Sequence, residues 1–203
     1  RDASLDVINY IVPAQPDKIL HDGDMINAGG FRFRVIWTPG HSSGHICLYE
    51  LNRKLLFAGD HILPKITPNV SVNPQSIENP LGRYLQSLDE IKKLDIELAL
   101  PGHDQPFNNL NMRINEITHH HHSRNEEILE TIVASPRAAY NIAKEITWGN
   151  NRGRWKDLPP FHKRMAVFET MAHLEMMAAE GRIDVMPRKG ITQYQQKLVK
   201  KAK

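Results

Sequence analysis

Three short stretches in the first half of this 203-residue chain end in side chains that bind cations or move protons. They are V-I-W-T-P-G-H-S-S-G-H at residues 35–45, L-L-F-A-G-D-H at 55–61 and E-L-A-L-P-G-H-D at 97–104. Each is an apolar run, then a glycine, then His or Asp. Val35, Ile36 and Trp37 favour an extended backbone. Pro39 pre-sets a turn, and Gly40 allows a positive φ or a close backbone approach. The pattern predicts His41, Asp60 and His103 at the tips of three strands. Imidazole nitrogen and carboxylate oxygen are the donors that borderline cations such as Zn²⁺ prefer.

Rigid elements must aim these groups, and hydrophobic periodicity predicts which. Phe31, Phe33, Val35 and Trp37 alternate with Arg32, Arg34 and Ile36, the period of a half-buried strand over residues 30–37. Residues 46–51 and 54–58 read as a hairpin about Asn52-Arg53, with Cys47 a small buried hydrophobe. A short strand is expected at 17–20, after an irregular lead-in over 1–16. Between Asp60 and Pro80, three prolines and no clear period predict a long loop. Such a loop either shapes a substrate pocket or runs over the surface. Asn79-Pro80 opens a helix with Leu81, Leu85, Leu88, Ile91 and Leu94 on one face. A strand at 97–100 then delivers His103. Strand, helix and strand in this order make an α/β layer.

T-P-G-H-S-S-G-H, F-A-G-D and L-P-G-H, in this order and at this spacing, resemble the third, fourth and fifth metal motifs of the metallo-β-lactamase superfamily. One glycine-histidine turn alone is a weak signal. The resemblance implies that His41 is a ligand of a first zinc, Asp60 a catalytic carboxylate bridging two, and His103 a ligand of the second. His45 and His61 are not ligands in this match and are expected to hold loops or ligands by hydrogen bonds. Two Zn²⁺ ions are the implied cofactors of a complete site, and Fe or Mn also suit His and Asp donors. The family's H-x-H-x-D-H segment is not in this sequence, where the only histidine before His41 is His21, in H-D-G-D. That segment would supply two ligands to each cation. Because the sequence also starts at Arg1 without a methionine, the expectation is the carboxyl-terminal portion of a longer hydrolase, holding part of each site and inactive alone. The implied substrates are thioesters of the hydroxyacylglutathione type, other acyl compounds, or phosphodiesters in RNA. Substrate choice sits in loops that the motifs do not specify.

A helix from near Asn109 contains His119, His120, His121 and His122. Consecutive residues point around a helix axis, so four neighbours cannot face one metal. His119 and His122 are i,i+3 neighbours and could share one; a polar helix face or an interdomain contact is the plainer reading. Ser135-Pro136 is expected to start a further helix. A long helix is predicted over 161–180, ended by Gly181, and a hairpin over 183–186 and 191–194. Three helices and a hairpin are winged-helix-like. S-P-R-A-A-Y and A-H-L-E…E-G-R resemble the domain that follows the catalytic one in a subgroup of this superfamily. The expected fold class is therefore α/β. Residues 1–122 form the carboxyl-terminal part of an αββα sandwich, 123–194 a mainly helical winged-helix-like domain, and 195–203 a basic tail.

A winged helix also raises nucleic acid as a partner. Arg152, Arg154, Lys156, Lys163 and Arg164 lie near Trp148 and Trp155, the residue types that pair with phosphate and stack on bases. Glu169, Glu175, Glu180 and Asp184 dilute that field. The other reading is core tryptophans and a dimerisation surface, giving a homodimer, or a cover over the site. A net charge of +3 is too slight to name nucleic acid as the partner. Hydrophobic content of 40% and charged content of 24% are ordinary for a soluble protein. A single cysteine excludes a disulfide framework and fits a reducing, cytoplasmic compartment. No apolar run approaches a membrane span. A small-molecule ester or thioester remains the favoured partner, and β-lactam hydrolysis is not expected.

Overall fold

The alternating stretch becomes strand β2 (Phe31–Trp37) of a five-stranded sheet in the computed structural model, which describes residues 14–149 and 153–197. Strands β1 (Met25–Ala28), β2, β3 (Ile46–Glu50) and β4 (Leu55–Gly59) pair antiparallel in chain order. Strand β5 (Leu98–Pro101) joins β4 in parallel, after a crossover through helix α1 (Pro80–Lys92). The strand expected at 17–20 is absent, and β1 forms after the H-D-G-D turn instead. The turn's carboxylates explain the shift. Asp24 accepts from the His21 amide and Asp22 from the Trp37 amide, so the segment beyond the turn lies against β2.

Asn79 caps α1 by accepting from the Gly82 amide, and Pro80 occupies the first turn, where its missing N–H costs nothing. The helix lays Leu81, Tyr84, Leu88 and Ile91 on the sheet face made by Ile36, Cys47, Tyr49, Leu56, Ala58 and Ala99. Full burial of a leucine or isoleucine here stabilises by roughly 1.5–3 kcal/mol. Leu110, Ile114 and Ile117 of helix α2 (Leu110–Thr131) complete this core. The opposite sheet face is apolar too, but Trp37 and Phe57 there stay about two-fifths exposed.

Helix α2 runs without a break past residue 123, and its far half joins a second core. That core unites Ile128 and Ile132 with helix α3 (Ala139–Ala143), helix α4 (Pro160–Ala179) and strands β7 (Ile183–Arg188) and β8 (Ile191–Gln196). Ser135-Pro136 does not start a helix. The next residues form strand β6 (Arg137–Ala138) against β8, and α3 follows from Ala139, with Ala138 at the cap position and no side-chain cap. The pairing of β6 with β8 takes the backbone that a Ser135 cap would need. Lys189 and Gly190 both have positive φ, 49° and 78°, as a two-residue hairpin turn requires. The strands outrun the expected hairpin because Pro187 sits on β7, an edge strand, where its missing donor is tolerated. Helices α2 to α4 with this β6-β8-β7 sheet make the winged-helix-like unit.

Trp148 is buried and donates its indole N–H to the Ala143 carbonyl, and Trp155 packs against the same core. Trp148 is therefore a core residue, with little of its ring on the outer surface. The lead-in over 1–13, Arg152 and the tail beyond Lys197 lie outside the described residues, while Gln195 and Gln196 of the expected tail belong to β8. Among the described residues no helix is long and apolar enough to cross a membrane.

Candidate metal centre

Strands β2, β4 and β5 deliver His41, Asp60 and His103 to one end of the sheet. The turns that do so approach so closely that side chains are excluded from them. A Cβ on Gly40 would lie 2.4 Å from that of Tyr84, and one on Gly102 would lie 2.5 Å from Asp60 Oδ1. The Gly102 amide donates to the Gly59 carbonyl at 2.8 Å, tying the end of β5 to that of β4. His103 Nε2 then stands 3.4 Å from Asp60 Oδ1, and His41 Nε2 stands 3.8 Å from Oδ2. One imidazole thus faces each oxygen of one carboxylate. The carboxylate and His41 are about one-third exposed and His103 two-thirds, so the group opens to solvent.

The His41 ring is oriented from behind. Its Nδ1 lies 2.9 Å from the Asn69 carbonyl, which can only accept. Nδ1 therefore carries a proton, and in the neutral ring it is Nε2 that turns a lone pair toward Asp60. Two acceptors facing each other are a slot for a cation. Two ligand bonds of about 2.1 Å meeting near the tetrahedral angle set their donors about 3.4 Å apart, close to both observed separations. Each oxygen, however, has one imidazole only. Among the described residues no three His, Cys, Asp or Glu side chains close on one point. A catalytic zinc uses three protein ligands plus water, so each side of Asp60 presents a partial set.

His45 Nδ1 lies 2.7 Å from Thr38 Oγ1, and its Nε2 fills the space where a Cβ on Gly59 would come within 2.7 Å. Burial, and then the neighbouring His41, hold the His45 pKa below the ordinary histidine value, with Asp60 opposing. Among the described residues neither nitrogen of the His61 ring has a hydrogen-bond partner. It is fully buried between the rings of His45 and Tyr84, with centroids at 5.7 and 4.9 Å. Burial pushes its pKa down to about 3 and keeps it neutral. Its link to the helix layer is through backbone, since the Tyr84 hydroxyl donates to the His61 carbonyl.

Sequence patterning missed the groups that support this site. Lys65 bonds Asp104 at 2.9 Å, joining the long loop to the turn that carries His103. Arg113 holds the same loop by donating to the Leu63 and Ile66 carbonyls. Asn69 binds Glu169 of α4, one hundred positions away, and no spacing rule links residues so far apart. In the histidine run, helical rotation buries His121 and leaves His119 and His122 exposed. His119 Nε2 lies 3.4 Å from Ser123 Oγ.

The model of the metallo-β-lactamase superfamily matches residues 3–103, the part that holds all three turns. A metallo-β-lactamase family protein from Thermus thermophilus superposes over 97% of this chain with a TM-score of 0.81 and 30% identity, and this chain covers 60% of it. The lactamase-like protein nscB of Aspergillus fumigatus is 31% identical over 122 residues, 60% of this chain and 34% of that protein. The human acyl-coenzyme A thioesterase MBLAC2 is 37% identical over 94 residues, 46% of this chain and 33% of that protein. This chain therefore spans about a third of the length of those two curated relatives. Since the Thermus likeness runs through both cores and the matched region carries the three turns, residues 3–103 form a domain of the metallo-β-lactamase superfamily.

Proposed function

We propose that this chain supplies half of the donors of a two-cation hydrolase centre for thioester or other acyl substrates. The observation that carries the reading is Asp60 with an imidazole nitrogen on each carboxylate oxygen. Zn²⁺ suits that donor set, and when bound it would lower the pKa of water and polarise the scissile carbonyl. His41 and His103 would hold the cations from opposite sides, with Asp60 between them. The Nδ1–H bond to Asn69 keeps the His41 donor aimed, and the Lys65–Asp104 pair fixes the His103 turn. Likeness to a thioesterase supports the acyl class of substrate. A cavity of about 690 Å³, within the range of small-molecule sites, lies between the long loop and helices α2 and α4, and none of the three proposed donors lines it. Ile66 and Pro68 of the long loop line it, with His120, Arg124, Trp148 and Glu169 opposite. The buried free thiol of Cys47 accords with a cytoplasmic setting for this reading.

Two donors per cation, where three are usual, imply weak binding and background turnover for the 203 residues on their own. Zinc content by atomic emission, with thiol release from acetyl-coenzyme A, tests both parts. The expected result is substoichiometric zinc that Asp60→Ala abolishes, and no turnover above buffer. Zinc content unchanged in Asp60→Ala, His41→Ala and His103→Ala would remove the reading.

A further inference from the structure

We infer that Glu169, on helix α4 of the winged-helix-like unit, is a positioning residue for His41. The path is two hydrogen bonds long, through Asn69, and a third bond braces it. The Asn69 side-chain amide donates to Glu169 Oε2 at 3.0 Å, while Ser71 Oγ donates to Asn69 Oδ1 at 2.5 Å. Both ends of the Asn69 side chain are thus held. Its backbone carbonyl accepts the His41 Nδ1–H at 2.9 Å. The neighbouring residue on α4 grips the same loop, since the Phe168 carbonyl accepts the Val72 amide at 3.2 Å. Residues 69–72 lie in the long proline-containing loop, with no ladder or helix of their own. Their two tethers to α4 fix where the Asn69 carbonyl points. That carbonyl selects the tautomer that leaves the His41 Nε2 lone pair facing Asp60 Oδ2. The winged-helix-like unit is therefore a working part of the site. Glu169 sits partly buried, and burial raises its carboxyl pKa while the Asn69 bond and Arg124 oppose the rise. A neutral glutamine offers the same acceptor oxygen, so charge is not the feature at issue.

The inference concerns the His41 tautomer; its value for cation binding rests on the reading above. Long-range ¹⁵N–¹H spectra of the whole chain at pH 7.5 report the tautomer directly, with His41→Gln assigning the signal. The wild type is expected to show the Nδ1–H form. Glu169→Leu is expected to give a mixture and to weaken Zn²⁺ binding by about 10-fold or more, the effect of losing a residue that orients a ligand. Glu169→Gln is expected to retain both properties. Asn69→Ala removes the same link from the other side and is expected to match Glu169→Leu without adding to it. It carries the test if the leucine variant does not fold. An unchanged His41 tautomer in folded Glu169→Leu and Asn69→Ala overturns the inference. So does loss of the tautomer in Glu169→Gln as well, which marks a general packing role. A shifted tautomer with unaltered Zn²⁺ binding leaves the positioning intact and removes His41 from the cation site.

Discussion

Two groups of histidines lie on either side of the Tyr84 ring. On the sheet-edge side stand His41, His45, His61 and His103; on the helix side stand His120, His121 and His173. Tyr84 touches both, with its centroid 4.9 Å from that of His61 and 5.7 Å from that of His121. In the first, His41 and His103 flank a carboxylate and open to solvent, while His61 is buried behind them. In the second, His121 Nδ1 is 3.4 Å from His173 Nε2, and His173 Nδ1 donates to Asn125 Oδ1 at 2.6 Å, all of it buried. Residue type is the same in both places. What separates a donor set from a packing knot is an acidic partner and an outlet to water. The helix group is instead a junction, locking α2 to α4 beneath α1.

If that contrast holds, damage to each group reads out differently. The largest effect belongs to Asp60→Ala, which removes the one oxygen donor of the proposed set and is expected to abolish Zn²⁺ binding. Gly102→Ala is the subtler form. Its Cβ would lie 2.5 Å from Asp60 Oδ1 and 3.2 Å from the Gly59 backbone, so the carboxylate must turn away. A 10- to 100-fold loss of Zn²⁺ affinity at little cost in thermal stability is expected, read by competition titration and a melt. His173→Ala is the mirror image. It leaves a void and an unpaired Asn125 oxygen, and should cost about 3 kcal/mol in urea unfolding. Zn²⁺ affinity should not change; a parallel loss would merge the two groups into one site.

Acid reads the buried rings of both groups, His61 in the first and His121 with His173 in the second. Burial pushes His121 down to about 3 and His173 well below its ordinary value, with His120 and Arg124 adding to both shifts and His122 to the first. Tyr84 and Asn125 face this pair without charge. The unfolded chain takes up protons near pH 6.5 that the folded chain refuses. Stability is therefore complete above about pH 6.5 and is lost as pH falls toward 3, at about 1.4 kcal/mol per pH unit for each such group. Urea midpoints at pH 7.5, 5.5 and 4.5 should show this decline, and His173→Leu should shed one group's share. An unchanged slope would mean that water reaches the pair.

The sheet-edge group was legible because strands write their ends into sequence. Apolar runs closed by glycine announced where β2, β4 and β5 stop, and a residue after such a stop has few directions to point. The helix group was not legible. A histidine four-repeat carries no phase of its own, and only packing against α1 and α4 decides that His121 turns inward. Ser135-Pro136 failed for a related reason: the local cap signal was sound, but β8 took the backbone just after it. The burial of His61 was not legible either: it follows a carboxylate motif, yet Tyr84 and His45 close over its ring. Asn69 and Glu169 gave no local sign at all.

The smallest expected effect is the sharpest test of the repeat. His119 and His122 were the pair that helical spacing would bring together, and both are exposed on α2. His119 lies beside Ser123, and no carboxylate completes a set around the pair among the described residues. Exposed positions of this kind usually change stability by less than about 0.5 kcal/mol when truncated. The double variant His119→Ala/His122→Ala should melt as the wild type does and retain its zinc content at stoichiometric supply. Two imidazoles one turn apart can still take up Zn²⁺ or Ni²⁺ in excess, so weak retention on an immobilised-metal column should fall. Loss of the tight fraction of bound zinc in that variant would instead make the repeat the chain's metal site, and the sheet-edge carboxylate a bystander.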